Sequence, residues 1–153
     1  MKNVRIVPMR AEHIPALAQL EALCFSQPWS EKSLAEELDN RTAHFLAALG
    51  EDDSIIGYIG AFTVCESCYI SNIAVFPEQR RRGVGRLLLR AAAEQARLRG
   101  AESISLEVRP SNHAAISLYK AEGYEEVGLR KSFYRDPQED ALILTLTFEN
   151  DNK

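Results

Sequence analysis

Three consecutive arginines, Arg80, Arg81 and Arg82, run directly into Gly83 and Gly85 in the stretch VFPEQRRRGVGRLLLR. Neighbouring positive charges repel and glycine is a poor helix former, so this stretch is unfavourable by itself. A bound anion would compensate for the clustered charges. At a helix N-terminus, unpaired N–H groups and the helix dipole attract anions, glycine permits close approach to the backbone, and arginine donates charge-assisted hydrogen bonds. The stretch therefore predicts a pyrophosphate-binding loop, with a solvated basic turn as the alternative.

Two side chains further along the chain could transfer protons. Glu107 lies in SISLEVRP (103–110), where three aliphatic residues alternate with Ser105 and Glu107, so the carboxylate is predicted on the less apolar face of a strand. Tyr119 follows in HAAISLYKAEGY, and a phenol can donate a proton to a departing group. By residue type alone, a solvated glutamate and a tyrosine ring packed beside Ile116 account for these two positions as well.

The cysteines and histidines do not form a metal-binding or disulfide pattern. Cys65 and Cys68 have the C-x-x-C spacing of redox and metal sites, but no second pair accompanies them, and three cysteines are too few for a disulfide framework. The three histidines are scattered. We therefore expect no metal and interpret CESC as a hairpin connection with two reduced thiols; a redox or metal site is the less favoured alternative.

Composition predicts one soluble domain over residues 1–153. Of these residues 46% are hydrophobic, enough for a single core, and no repeat or linker divides the chain. No apolar run is long enough to span a bilayer, and the first ten residues lack the apolar core of a signal peptide, so we expect a cytoplasmic protein without membrane contact. The net charge of −4 argues against direct nucleic-acid binding, whereas the arginines clustered at 80–90 favour a small anion.

Periodicity and turn residues predict the element order β-α-α-β-β-β-α-β-α-β-β, an α/β arrangement with a mixed central sheet. Residues 67–108 read as strand, helix and strand, which implies two parallel strands with a right-handed crossover. Ser30, and Ser111 or Asn112, are predicted helix N-caps. The strongest helix follows the arginine–glycine stretch and ends near Gly100; its predicted apolar face comprises Leu87, Leu88, Ala91, Ala92 and Leu98.

The same residues resemble those of the GNAT superfamily of N-acetyltransferases. Arg80-Arg81-Arg82-Gly83-Val84-Gly85 matches the Q/R-x-x-G-x-G/A signature with which that superfamily binds acetyl-CoA, and the element order matches its fold over nearly the whole chain. Four further segments are similar to the RimI type, the bacterial enzymes that acetylate the N-terminal alanine of a small-subunit ribosomal protein: PWSEKS (28–33), NIAV (72–75), LEVRPSNHAAISLYKAEGY (106–124) and EDA (139–141). The resemblance implies an acetyl-CoA-dependent enzyme that acts on a protein N-terminus.

The resemblance also implies how acetyl-CoA would be bound. The strands ending in NIAV and SLEV would splay apart and receive the pantetheine arm against the backbone of Ile73, Ala74 and Val75, where one N–H would polarise the thioester carbonyl. The arginine–glycine loop and the start of the helix after it would supply further cofactor contacts, from Arg80, Arg81, Arg82, Gly83, Val84, Gly85 and Arg86. Asn112, at the start of the later helix HAAISLYKAEG, would supply another.

In the resembling subfamily, the position of Glu107 holds the general base and that of Tyr119 the general acid, while Tyr124 is expected to be structural. The acceptor would enter opposite the cofactor, between the FSQPWS loop and the last two strands, beside Trp29 and Tyr134. The chain departs from the subfamily at this end, because Phe133 precedes Tyr134 where two tyrosines are common, and RDPQEDA shortens the loop. These departures concern the acceptor contacts and not the cofactor chemistry.

Two other functions fit the same sequence. One is a GNAT enzyme that acetylates a small amine such as a polyamine, an amino acid or an antibiotic. The other is a module that binds acyl-CoA without turnover, although such a module has no need of both Glu107 and Tyr119. The identity of the acceptor stays open at this stage.

Overall fold

The computed structural model describes residues 3–149, and within them the helices and strands follow the predicted order. The ends of the predicted domain, residues 1–2 and 150–153, lie outside the described part, and the single domain stays a prediction. No helix in the described part has the length and apolarity to cross a bilayer. The elements are β1 (Arg5–Pro8), α1 (Ile14–Cys24), α2 (Glu31–Glu36), β2 (Leu46–Leu49), β3 (Ile55–Val64), β4 (Ser67–Val75), α3 (Val84–Leu98), β5 (Ser103–Val108), α4 (His113–Ala121), β6 (Glu125–Tyr134) and β7 (Glu139–Thr147).

The strands form one sheet in the order β1-β2-β3-β4-β5-β7-β6. β4 and β5 are parallel, and every other described pair is antiparallel. The parallel pair connected through α3 is therefore confirmed. Because β7 lies between β5 and β6, the final hairpin extends the sheet beyond β5 and brings its connecting turn beside the end of that strand.

Successive strand residues pack into two separate cores, one on each face of the sheet. Tyr58 packs with α1 and α2, whereas the next residue, Ile59, packs with α3 and α4. On β4, Ala74 likewise packs with α1 and α2, and Val75 packs with α3 and α4. The alternation predicted for β5 is also confirmed, since Ile104, Leu106 and Val108 are all buried in the core beneath α3 and α4. Glu107 must therefore point to the opposite face, the one that carries α1 and α2.

The predicted helix N-caps on α2 and α4 are confirmed. The Ser30 hydroxyl accepts a hydrogen bond from the Ser33 N–H at 3.1 Å, and the Asn112 side chain accepts one from the Ala115 N–H at 3.2 Å. Each bond satisfies one of the N–H groups that a helix start leaves unpaired.

The prediction that Leu98 belongs to the apolar face of α3 is wrong. The side chain is 72% exposed, and Leu87 and Ala91 are only partly buried. Leu98 lies two residues beyond the buried Ala96, which turns it about 200° around the helix and away from the sheet. The buried stripe consists of Val84, Leu88, Leu89, Ala92 and Ala96.

A buried histidine lies on the sheet away from the predicted site. The ring Nε2 of His44 is 2.7 Å from the Thr63 hydroxyl, whereas Nδ1 is enclosed with no partner among residues 3–149. Burial, assisted by the charge of Arg99, lowers the pKa of His44 from 6.5 to about 4. The folded protein therefore holds this ring neutral where the unfolded chain would protonate it.

We expect the free energy of unfolding to fall by about 3 kcal/mol as the pH is lowered from 6.5 to 4, because only the unfolded state binds the His44 proton in that window. Burial also lowers the pKa of His13, which acts in the same direction. Urea unfolding at several pH values tests this, and His44→Gln should flatten the dependence while the exposed His113→Gln should not. An unchanged slope in His44→Gln would contradict the assignment.

Candidate active site

β4 and β5 separate after a short stretch of pairing. Residues 67–69 pair with 103–105, and no pairing is described beyond them. Ser71 is an extra residue relative to β3, because Gly60 pairs with Asn72 and Ala61 with Ile70. This β-bulge bends the strand, after which β4 continues against β3 alone. The edge of residues 73–75 that faces β5 therefore has no strand partner, and the predicted splayed pair is present.

The arginine–glycine loop presents a row of free backbone donors at the start of α3. The N–H groups of residues 81–86 donate to no acceptor in the described part of the chain. Arg81 and Gly83 have φ values of 64° and 84°, in the left-handed region that a residue without Cβ adopts at least cost. Backbone turns of this kind group successive N–H dipoles into a concave anion site. The geometry fits a pyrophosphate.

Packing against α4 favours a glycine at position 85, which the sequence did not indicate. A Cβ at this position would lie 3.1 Å from Cδ2 of Leu118, so the Leu118 side chain would have to shift by a few tenths of an ångström. Gly83 has nothing within 4 Å of the corresponding point. Gly83 thus favours the left-handed backbone, and Gly85 leaves room for the Leu118 side chain of α4.

The arginines of this stretch are not equivalent. The Arg80 guanidinium donates to the Val75 carbonyl at 3.0 Å and to the Cys24 sulfur at 3.2 Å, which ties the loop to the end of β4 and to α1. Arg86 and Arg90 both pair with Glu122, at 3.0 and 2.8 Å.

Arg82 donates to the Gln79 side chain at 2.7 Å. Arg81, by contrast, has no side-chain partner within residues 3–149, which leaves its charge the most available to an anion.

Glu107 lies at the open end of the gap and is almost enclosed. Its side chain is 6% exposed, so a solvated sheet face does not describe it. Tyr69 of β4 donates its hydroxyl to Oε1, and the Arg130 guanidinium of β6 pairs with Oε2. Burial and the bond to Glu107 raise the pKa of Tyr69, which keeps it a neutral donor. Sequence reasoning missed both partners, because only the strand register places them beside Glu107.

Tyr119 is buried on α4, with 6% of its surface exposed. Burial, with a smaller contribution from Tyr134, raises the pKa of its hydroxyl, which therefore stays protonated at neutral pH. Its ring lies 5.9 Å from that of Tyr124, whose hydroxyl is enclosed and unpartnered among the described residues. Tyr124 thus has the packing role predicted for it.

The loop after α1 contacts the final hairpin, and the acceptor site predicted between them stays a prediction. The Ser26 hydroxyl donates to the Arg135 carbonyl at 3.3 Å. Trp29 is partly buried, and its ring packs on Phe45 with centroids 5.6 Å apart. Trp29 therefore covers the core at this end, and no contact between it and Tyr134 is described.

Tyr134 lies on the other side, under the Arg109 guanidinium, which sits 4.5 Å from the ring centroid. Burial and the nearby Glu107 carboxylate raise the pKa of Tyr134 to about 12. Arg109 also donates to the carbonyls of Arg135 and Pro137, at 2.9 and 2.7 Å. One arginine, which sequence reasoning missed, thereby fixes both Tyr134 and the hairpin turn.

Two of the motif segments meet in space. Glu139, which begins EDA, accepts hydrogen bonds from the Ser111 N–H at 2.8 Å and the Ser111 hydroxyl at 2.9 Å, and it pairs with Arg109 at 3.3 Å. Asp140 accepts from the Ser132 N–H at 2.8 Å. Glu139 therefore anchors the hairpin to the segment that follows β5, and Asp140 joins the two strands of the hairpin.

The three cysteines lie in different surroundings. Cys65 is exposed in the turn between β3 and β4, Cys68 is buried, and Cys24 lies at the end of α1, all three as free cysteines. Among the described residues, no group of three or more histidine, cysteine, aspartate and glutamate side chains is arranged to hold a metal ion.

Comparison with known proteins identifies the family. Residues 14–124 match the acetyltransferase (GNAT) family. The chain belongs to the GNAT acetyltransferase family. A protein of Bacillus subtilis (strain 168) is 41% identical over 140 residues, which cover 91% of this chain and 92% of the relative. The [ribosomal protein bS18]-alanine N-acetyltransferase of Escherichia coli (strain K12) is 34% identical over 143 residues, covering 92% and 95%.

Solved structures agree with this GNAT assignment. The crystal structure of the ribosomal-protein-S18-alanine N-acetyltransferase from Escherichia coli superposes with a TM-score of 0.85 at 30% identity, covering 98% of each chain. The predicted fold and the predicted family are therefore confirmed. The roles of the individual residues stay proposals.

Proposed function

We propose that the chain transfers the acetyl group of acetyl-CoA to the N-terminal α-amino group of a protein, and that its acceptor is the N-terminal alanine of ribosomal protein bS18. The observation that carries the proposal is Glu107, a nearly enclosed carboxylate at the open end of the gap between β4 and β5. The names of relatives that align over most of the chain support the acceptor.

The residues present fit the cofactor. The free N–H groups of residues 81–86 and the guanidinium of Arg81 would bind its pyrophosphate, and the open edge of residues 73–75 would bind its pantetheine arm. Asn112 would lie beside it at the start of α4. When bound, acetyl-CoA supplies the acetyl group as a thioester.

Glu107 would accept the proton of the attacking amine. An α-amino group has a pKa near ~7.7–8.0, so much of it is protonated at neutral pH and cannot attack. As the N–C bond forms, the amine proton passes to the Glu107 carboxylate, directly or through a water molecule. Tyr69 and Arg130 hold that carboxylate in place.

Tyr119 would donate a proton to the departing sulfur as the C–S bond breaks. Because burial raises the pKa of this hydroxyl, a lasting tyrosinate is unfavourable, and the proton transfer has to accompany bond breaking. A proton from solvent then returns to the Tyr119 oxygen.

A panel of acceptors tests the proposed function. Peptides that begin with Ala-Arg, Met or Ser are compared with free polyamines and amino acids at saturating acetyl-CoA, and thiol release is measured. We expect the highest kcat/KM for the alanine peptide. A clear preference for a free amine would support the small-molecule alternative, and CoA binding without thiol release from any acceptor would support the non-catalytic one.

We expect Gly83→Ala to weaken CoA binding by about tenfold, because a Cβ resists the left-handed backbone that aligns the loop donors at a cost of roughly 1–2 kcal/mol. Gly100→Ala is the matched control, since Gly100 also has a positive φ, 90°, and open space around it but lies at the other end of α3. Both variants should lose similar stability. Equal CoA affinity by calorimetry in Gly83→Ala and wild type would remove the loop from the binding site.

A further inference from the structure

Glu21 of α1 is a wholly buried carboxylate with three hydrogen-bond donors. Its Oε1 accepts from the Trp29 N–H at 2.8 Å. Its Oε2 accepts from the Tyr58 hydroxyl at 2.6 Å and from the Asn72 amide at 3.1 Å. The side chain has no exposed surface.

Packing alone does not explain a carboxylate at this position. Leu17, Leu20 and Leu34 belong to the same core, and an aliphatic side chain would fill the space without the cost of burying a charge. Within residues 3–149, no cation pairs with Glu21 to offset that cost. Unlike a leucine, the carboxylate accepts three hydrogen bonds and so holds the three donor groups in fixed positions relative to one another.

The three donors belong to elements with different proposed roles. Trp29 lies in the loop between α1 and α2, on the acceptor side. Asn72 directly precedes residues 73–75, the open edge of β4, and its Oδ1 is enclosed without a partner among the described residues, so its described side-chain hydrogen bond is the one to Glu21. Tyr58 lies on β3 and belongs to neither of the two proposed sites.

We propose that Glu21 is a positioning residue that couples the cofactor gap to the acceptor loop. A shift of β4 when CoA enters the gap moves the Asn72 amide, Glu21 follows it, and the Trp29 backbone follows Glu21. The inference rests on the proposed function for the roles of β4 and the loop. It adds a physical connection through which occupancy of one site changes the other.

Trp29 reports on the loop directly, because it is the only tryptophan in the chain. CoA is titrated into the full-length protein while the heat of binding and the tryptophan fluorescence, excited at a wavelength that CoA does not absorb, are followed together. Neither signal needs an acceptor, so the test does not depend on which amine is acetylated.

In the wild type, we expect the fluorescence change to follow the binding heat. Asn72→Ala removes the donor on β4, and Glu21→Gln leaves too few acceptors for three donors, so both variants should bind CoA and lose the fluorescence change. Tyr58→Phe is the matched control: it removes a bond to the same Glu21 oxygen, lowers the melting temperature comparably, and should keep the response.

Binding heat without a fluorescence change in the wild type would overturn the coupling and leave the proposed function intact. A full response in Asn72→Ala would also overturn it, even where Glu21→Gln does not fold. Absence of CoA binding heat in the wild type would instead overturn the proposed function itself.

Discussion

Glu107→Gln should lower kcat/KM by ~10²-fold or more at pH 7, the usual contribution of a general base. Glutamine keeps the shape of the side chain but cannot accept the amine proton. Raising the pH toward 9 should recover part of the loss, because the α-amine, with a pKa near ~7.7–8.0, is then already neutral. Steady-state rates between pH 6 and 9.5 with the alanine peptide give both results.

Arg130→Gln separates loss of the base from loss of its ion pair. This variant breaks the contact with Glu107 but leaves the carboxylate and its bond from Tyr69 in place. Arg130 itself is mostly exposed, and the nearly enclosed Glu107 carboxylate that remains is still held by the Tyr69 hydroxyl, so we expect rates within about tenfold of wild type. Wild-type rates for Glu107→Gln across the pH range would show that the carboxylate is structural.

Tyr119→Phe should lower kcat by ~10²-fold or more while CoA binds as before. The phenyl ring preserves the packing on α4 and removes only the proton donor. High pH should not rescue this variant, because the sulfur still leaves without a proton. In the wild type, Tyr119 should not limit the rate by ionising below pH 10, since burial raises its pKa above the ordinary value near ~10.

Tyr124→Phe is the control that the chain itself provides. Its ring is in contact with Tyr119, it is equally buried, and its hydroxyl has no partner among the described residues. Removing an enclosed, unpaired hydroxyl should leave turnover unchanged and stability equal or higher. Equal losses in both variants would show that the Tyr119 hydroxyl has no specific role as the proton donor.

The acceptor end is where sequence patterns carried the least information. Trp29 and Tyr134 were predicted to line it, and the structure sets Trp29 against Phe45 and Tyr134 beneath Arg109. A pattern identifies an aromatic residue in a loop, but whether its ring covers the core or faces a ligand depends on neighbours distant in the chain. The acceptor panel is therefore the measurement that says most about which amine this chain acetylates.

Local features could be predicted because the interactions behind them span only a few residues. The Ser30 and Asn112 caps bond to the N–H three positions later, and the placement of Glu107 opposite the buried face of β5 follows from the two-residue period of a strand. The element order followed from the same short-range periodicities. With the resemblance to the GNAT signature, these determined the family and the fold.

Only the tertiary structure decided the state of each site group. The gap depends on the bulge at Ser71, which has no signature in the sequence because it is defined by the register against β3. Tyr69 and Arg130 meet Glu107, and Asn72 meets Glu21, across separations that no periodicity relates. Hydrogen bonds and burial of this kind arise from packing between elements, and so they determine which predicted residues are free, paired or enclosed.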